Sequence, residues 1–307
     1  MKPLLLVFPG NTLFASTLAP RLGAEIGGMT LRHFPDGESY VRIDAPVTGR
    51  DVILLCTLDR PDDKLLPLLF AAGTAKELGA ARVGLVAPYL AYMRQDQRFQ
   101  PGEAVTSVHF ARLLSASVDW LVTVDPHLHR RSRLGEIYSI PARVVHAAPL
   151  VSAWIRQHVA APVLVGPDAE SEQWVAAVAG AAGAPYVVLQ KIRRGDREVE
   201  VSVPDVERWR ARTPVLVDDI ISTARTMIET VGHLKRAGLA PPVCIGVHAV
   251  FAGTAYADLA AAGAGRIVTG NTIAHESNAI DVSGLLAEAV RELASARPAA
   301  HGVWGAS

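Results

Sequence analysis

The chain of 307 residues has two cysteines, Cys56 and Cys244, both inside apolar strand-like runs. So few exclude a disulfide framework, and neither has metal or redox spacing, so both read as buried thiols in a reducing compartment. Aromatic residues are scarce at 6%, while alanine, valine and leucine abound, as in sheets covered by small-residue helices. Charge of one sign is missing too: 30 Lys and Arg balance 30 Asp and Glu. Bulk attraction to nucleic acid or to a membrane surface is therefore not expected, and any anion binding must come from local clusters. No apolar run reaches the length of a membrane span. Met1-Lys2-Pro3-Leu4 runs straight into a short strand, without the long apolar region and small-residue cleavage site of a signal peptide. The expected location is the cytoplasm, with neither nucleic acid nor membrane as partner.

Half of the residues are hydrophobic, which suits a well-buried globular chain and excludes disorder as the main state. Apolar strand-like runs, among them 4–8, 52–56, 83–87, 121–124, 163–165, 186–189, 215–217 and 243–250, alternate with helical patterns near 11–22, 62–78, 105–116, 149–158, 171–182, 224–237, 254–262 and 282–295. This alternation indicates an α/β fold with parallel sheets and right-handed crossovers. About eleven strands are too many for one ordinary sheet, so two doubly wound domains are expected, divided in the proline-flanked stretch 141–149. The domains then run 1–146 and 147–296, with an Ala/Gly-rich tail, 297–307, that frays. Val118–Val124 and Pro214–Val217 each end in an acid, Asp125 and Asp218, which hints at a duplicated unit.

The most telling stretch is Leu216-Val217-Asp218-Asp219-Ile220-Ile221-Ser222-Thr223-Ala224-Arg225-Thr226. A buried strand ends on two adjacent carboxylates, then a hydroxyl-rich turn leads to the helical pattern Met227, Ile228, Val231, Leu234. Such a unit can bind a sugar phosphate: the acids accept hydrogen bonds from ribose hydroxyls, and the loop amides and helix dipole hold the phosphate. An ordinary strand–loop–helix whose acids cap the helix is the alternative.

In open α/β sheets ligands bind at the carboxyl ends of strands, and further polar segments stand at such ends. Phe34-Pro35-Asp36-Gly37-Glu38 has the chemistry of a hairpin turn, but also offers a ring for stacking a base and two acids that can accept from an exocyclic amine. After the run 83–87, Arg94 and Arg98 can clamp phosphates with their guanidinium forks; a solvated loop with an Arg–Asp pair is the rival reading. Asp125-Pro126-His127-Leu128-His129 places two histidines where they can ligate a metal or contact an anion. Gly166-Pro167-Asp168 supplies a hard oxygen ligand suited to Mg²⁺. Lys191-Ile192-Arg193-Arg194-Gly195-Asp196-Arg197-Glu198 reads as an exposed loop or hairpin, and a basic flap over a sugar-phosphate site can stabilise charge on a reacting phosphate.

Taken in order, these segments resemble the ribose-phosphate diphosphokinases (phosphoribosyl diphosphate synthases) over nearly the whole chain, from Phe34 to about Ala289. The short segment from Arg98 to Ala104 looks more like the archaeal-type branch. The resemblance implies two domains of phosphoribosyltransferase type and transfer of the diphosphoryl group of Mg²⁺–ATP to the C1 hydroxyl of ribose 5-phosphate. It implies that Phe34, Asp36, Glu38, Arg94, Gln95 and Asp96 contact ATP, and that His127 and Asp168 help hold Mg²⁺. Asp218 and Asp219 would bind the ribose hydroxyls, and Ser222, Thr223, Ala224, Arg225 and Thr226 the 5-phosphate. Lys191 and Arg193 would neutralise charge on the transferring group. Because the family completes its adenine site across a subunit interface, a homo-oligomer is implied.

The chain departs from the family where Thr-Gly-Gly-Thr is replaced by Thr223-Ala224-Arg225-Thr226. Glycine tolerates positive φ and close approach to the phosphate, so Ala224 and Arg225 must take relaxed angles or cost of order 1 kcal/mol or more each. Glu170 adds an acid where the family has small residues, and Pro61-Asp62-Asp63 stands near its Pro-Asn-Asp. A different phosphosugar acceptor, or a silent nucleotide-binding paralogue that regulates an active partner, are the rival functions. A simple phosphoribosyltransferase is disfavoured, since it needs only one such domain and lacks the Phe34–Glu38 and Arg94–Gln95 elements.

Overall fold

A computed structural model describes residues 1–128, 130–167, 171–194, 198–202 and 206–295, with backbone alone for 173, 190–194, 198–202 and 206. The chain divides into two units by its internal contacts, the first beginning at Met1 and the second spanning His146–Val282. The first contains β1 (Leu4–Val7), α1 (Thr12–Leu22), β2 (Glu25–Gly27), β3 (Met29–His33), β4 (Ser39–Ile43), β5 (Asp51–Leu55), α2 (Asp62–Glu77), β6 (Arg82–Ala87), α3 (Thr106–Ser117), β7 (Trp120–Val124) and β8 (Ala142–Val145). The second contains α4 (Ala148–His158), β9 (Pro162–Gly166), α5 (Glu172–Ala182), β10 (Tyr186–Val188), β11 (Gln190–Arg194), β12 (Glu198–Ser202), α6 (Val206–Trp209), β13 (Thr213–Ile221), α7 (Arg225–Arg236), β14 (Val243–Ala249), α8 (Ala255–Ala262), β15 (Arg266–Gly270) and β16 (Asn278–Ile280). The last helix among the described residues is α9 (Ser283–Ser295).

Each unit is built on a six-stranded sheet, ordered β2-β1-β5-β6-β7-β8 in the first and β10-β9-β13-β14-β15-β16 in the second. All pairings in both sheets are parallel. In chain order the two patterns coincide strand for strand. Each also carries an antiparallel hairpin, β3–β4 or β11–β12, between its second and third sheet strands. This is the architecture of a duplicated α/β unit. Strands buried on both faces are largely apolar, which explains Leu4-Leu5-Leu6, with no exposed surface, and the fully buried β14, whose one polar side chain, His248, is hydrogen-bonded to Thr272. Gly84 lies opposite Trp120 across β6 and β7. A Cβ there would sit 1.9 Å from the indole, so only glycine leaves room for the ring.

The sequence division assigned 283–296 to the second domain, whereas the contacts return α9 to the first unit, where it packs on α1, β7 and β8. Reciprocally, α4 follows the last strand of the first sheet and packs in the second unit on α5 and β16. The two helices are exchanged between the units, which hydrophobic periodicity along the chain has no means of revealing. The tail 297–307 lies outside the described residues.

The short strands β2, β8 and β16 escaped the pattern reading because three or four residues carry too little periodicity. The charged stretch from Lys191 forms the antiparallel pair β11–β12, with its turn, 195–197, outside the described residues. Among the described residues no helix is long and apolar enough to cross a membrane.

Candidate active site

Strand β13 is nine residues long, and its apolar start, Val215 to Val217, is buried between β9 and β14. Asp218 and Asp219 follow as it leaves β9, and both are half-buried. Each turns one carboxylate oxygen to the next amide: Asp218 Oδ1 accepts from Asp219 N–H at 2.9 Å, and Asp219 Oδ1 accepts from Ile220 N–H at 2.8 Å. These bonds orient both carboxylates. Gly246 lies opposite Asp218, where a Cβ would come within 2.5 Å of Ile221 Cγ1.

Ser222 and Thr223 then lead to Ala224, which has φ 56° and ψ 8° in the left-handed region. Of the two residues replacing the family's glycines, Ala224 alone takes positive φ; Arg225 begins α7 and is exposed. A left-handed alanine costs about 1–2 kcal/mol, and its buried methyl group, packed with the Met227 and Val231 cluster, holds it there. The first helical bond runs from Ile228 N–H to the Ala224 carbonyl at 2.8 Å, so the amides of Arg225, Thr226 and Met227 precede it. Among the described residues no side chain caps α7, and its first turn has no acid. Those amides and the positive dipole end suit an anion.

The β11–β12 hairpin precedes this unit. Lys191 pairs with Val201 and Arg193 with Val199. By strand alternation Lys191 and Arg193 hold register positions on one face of the ribbon, and Glu198 and Glu200 on the other. Asp168, and with it Glu170, lies outside the described residues, as does His129.

In the first unit the tip of β3–β4 presents Phe34, which is 40% exposed. The turn is closed by Phe34 N–H to the Glu38 carbonyl at 2.8 Å and by Glu38 N–H to Asp36 Oδ1 at 3.2 Å. The Arg32 guanidinium lies 4.6 Å from the centre of the Phe34 ring and 4.2 Å from that of Tyr40. Arg32 and Tyr40 went unnoticed in the sequence; their alternation with Phe34 on the hairpin was the available signal.

The loops after β6 and β7 meet. Gln95 accepts from the Thr106 hydroxyl through Oε1 at 3.2 Å. Asp96 has a buried carboxylate, 3% exposed, which accepts from Arg130 at 3.0 Å. Its carbonyl accepts from Arg131, 3.3 Å away. The loop thus does contain an Arg–Asp pair, but its arginine comes from the β7 loop rather than from Arg94 or Arg98. Arg94 is exposed, and Arg98 donates to the Glu103 carbonyl. His127 is half-buried just beyond β7. The structure therefore joins the loop of Arg94, Gln95 and Asp96 to that of His127, while Phe34, Asp36 and Glu38 stand together on the hairpin.

Residues 4–117 match the family model for the N-terminal domain of ribose phosphate pyrophosphokinase, and residues 134–282 match the phosphoribosyl transferase domain. Among curated archaeal relatives, the ribose-phosphate pyrophosphokinase of Methanopyrus kandleri is 34% identical over 278 residues, covering 90% of this chain and 94% of that protein. That of Methanosarcina acetivorans is 33% identical over 288 residues, covering 93% and 98%. The crystal structure of phosphoribosylpyrophosphate synthetase from Mycobacterium smegmatis superposes with a TM-score of 0.83 at 25% identity, over 95% of this chain and 99% of that one. Sheet topology, paired domains and relatives along nearly the full length agree: the chain belongs to the ribose-phosphate pyrophosphokinase family of diphosphate-transferring enzymes.

Proposed function

We propose that this chain transfers the diphosphoryl group of ATP to the C1 hydroxyl of ribose 5-phosphate, giving 5-phosphoribosyl 1-diphosphate and AMP. The observation that carries this reading is the β13–α7 junction, where two oriented carboxylates adjoin a hydroxyl-bearing turn and an uncapped helix start. Asp218 and Asp219 accept from the ribose hydroxyls, and residues Ser222 to Thr226 receive the 5-phosphate with their amides and hydroxyls. Arg225 adds a cation at the helix start.

ATP is held by the other candidates: Phe34 stacks on adenine, Asp36 and Glu38 accept from the base, and Arg94, Gln95 and Asp96 shape the adjoining loop. Asp96 acts there through its ion pair with Arg130. The C1 hydroxyl oxygen attacks the β-phosphorus and its proton is released to solvent, while the bond from that phosphorus to the α,β-bridging oxygen breaks and AMP leaves with that oxygen. Such transfer asks for in-line positioning and charge neutralisation, which Lys191 and Arg193 provide from one face of β11–β12.

Mg²⁺ binds through few protein donors and keeps water and phosphate oxygens. By the family resemblance His127 and Asp168 would hold the ion, Asp168 supplying the hard oxygen donor that Mg²⁺ prefers. When bound it neutralises phosphate charge. Exposed Phe34 also supports a homo-oligomer in which a second copy completes the adenine pocket.

Incubation with ATP, Mg²⁺ and ribose 5-phosphate, followed by chromatography, tests the proposal: AMP should accumulate only when all three are present. Lys191→Ala should abolish turnover and keep ATP binding. ATP binding without AMP would leave a nucleotide-binding regulator. AMP with only another phosphosugar would redefine the acceptor.

A further inference from the structure

The phosphate loop is fastened from outside by the segment that follows β14. Phe251 N–H donates to the Ile221 carbonyl at 2.9 Å, and Ala252 N–H donates to the Ser222 carbonyl at 3.0 Å. A parallel ladder presents alternate residues to a given neighbour, so two consecutive amides reaching two consecutive carbonyls need a turned backbone. The turn is there: Val250 N–H bonds back to the His248 carbonyl at 3.1 Å, and Phe251 has φ 30°. Left-handed angles are strained for a residue as bulky as phenylalanine and persist only where the surroundings enforce them.

Three rings supply the enforcement. The Phe251 centroid lies 4.6 Å from that of His275 and 5.2 Å from that of Tyr256, and Tyr256 and His275 are 4.7 Å apart. These edge-to-face and tilted contacts close a triangle. His275 is itself anchored: Ser277 N–H donates to its Nδ1 at 3.1 Å, and its own N–H donates to Asn278 Oδ1 at 3.0 Å. Tyr256 stands in the first turn of α8. The loops after β14 and β15 and the start of α8 thus converge on one ring, whose backbone grips the entry to the phosphate loop.

We propose that Phe251 is a positioning residue for the acceptor: the Phe251–Tyr256–His275 triangle fixes the turn that holds the Ile221 and Ser222 carbonyls, and so sets where residues 222–226 present their donors. This rests on the acceptor reading above. Phe251→Leu keeps an apolar side chain but removes the ring, Phe251→Gly accepts the backbone angle with no side chain, and Phe251→Tyr restores the ring. The KM for ribose 5-phosphate should rise about tenfold or more in the first two, a loss of about 1.4 kcal/mol of binding. The Tyr variant should stay close to wild type, and the Kd for ATP should not move in any of them.

Tyr256→Leu, which leaves Phe251 in place, should shift the same KM and serves if a Phe251 variant fails to fold. An unchanged acceptor KM in the Leu variants would overturn the proposal, as would a glycine variant that behaves as wild type or an ATP Kd that rises in parallel. If the wild type makes no AMP, calorimetric titration of ribose 5-phosphate applies the same comparison. Absence of binding by the wild type would overturn the acceptor reading and this proposal together.

Discussion

Ala224 offers a quantitative test of the strained turn between β13 and α7. Its left-handed φ of 56° costs an L-residue about 1–2 kcal/mol, which Ala224→Gly removes. The same change takes away a methyl group on a residue only 7% exposed, worth about 0.8 kcal/mol. It also frees the unfolded chain by about 0.4–1 kcal/mol. Gain and losses nearly cancel, so the glycine variant should lie within about 1 kcal/mol of wild type. Ala224→Val forces a β-branched residue into the same angle and should lose about 2 kcal/mol or more. Calorimetric melting would report both, and exchange of the Ile228 amide, bonded to the Ala224 carbonyl, would localise the change. A glycine variant destabilised well beyond this range, or a valine variant that melts with wild type, would refute the account of the strained turn.

Other perturbations follow from burial and packing. Desolvation pushes the Cys56 and Cys244 thiols up to about 12, and the thiolate is the reactive form. A thiol reagent at mildly alkaline pH should label neither in the native protein and both in denaturant; rapid native labelling would contradict their burial. Gly84→Ala drives a Cβ into the Trp120 indole and should cost about 3 kcal/mol, with Trp120→Leu recovering part of the loss; additive effects would show that the two do not collide. Burial holds the His275 imidazole below its ordinary 6.5, against a smaller opposing pull from Glu276. The unfolded chain then takes up that proton first, so stability should fall as pH drops below about 6.5, and His275→Gln should flatten the decline. Identical pH profiles for the variant and wild type would show that His275 does not titrate this way.

The two-sheet fold was legible because buried parallel strands and their covering helices write long periodic signals, as in β1, β6, β14 and α7. The β13–α7 unit was legible because its acids, turn and helix start are contiguous in the chain. Long-range features were not. The exchange of α4 and α9 depends on which unit a helix packs against, and its amphipathic pattern is the same either way. Phe251, Tyr256 and His275 come from three segments and meet only in the fold. Arg32 and Tyr40 looked like ordinary hairpin residues until the edge-to-face contact of Tyr40 with Phe34 and the Arg32 guanidinium over both rings were visible. At Ala224 the chain left relaxed and strained angles both open, and the packing of its methyl group decided between them.

The central claim concerns which phosphorus is attacked, and ³¹P NMR of the mixture of protein, Mg²⁺, ATP and ribose 5-phosphate tests it most directly. The account predicts AMP and a sugar C1 diphosphate growing together in equal amounts. ADP with a sugar bisphosphate, or inorganic phosphate alone, would contradict it.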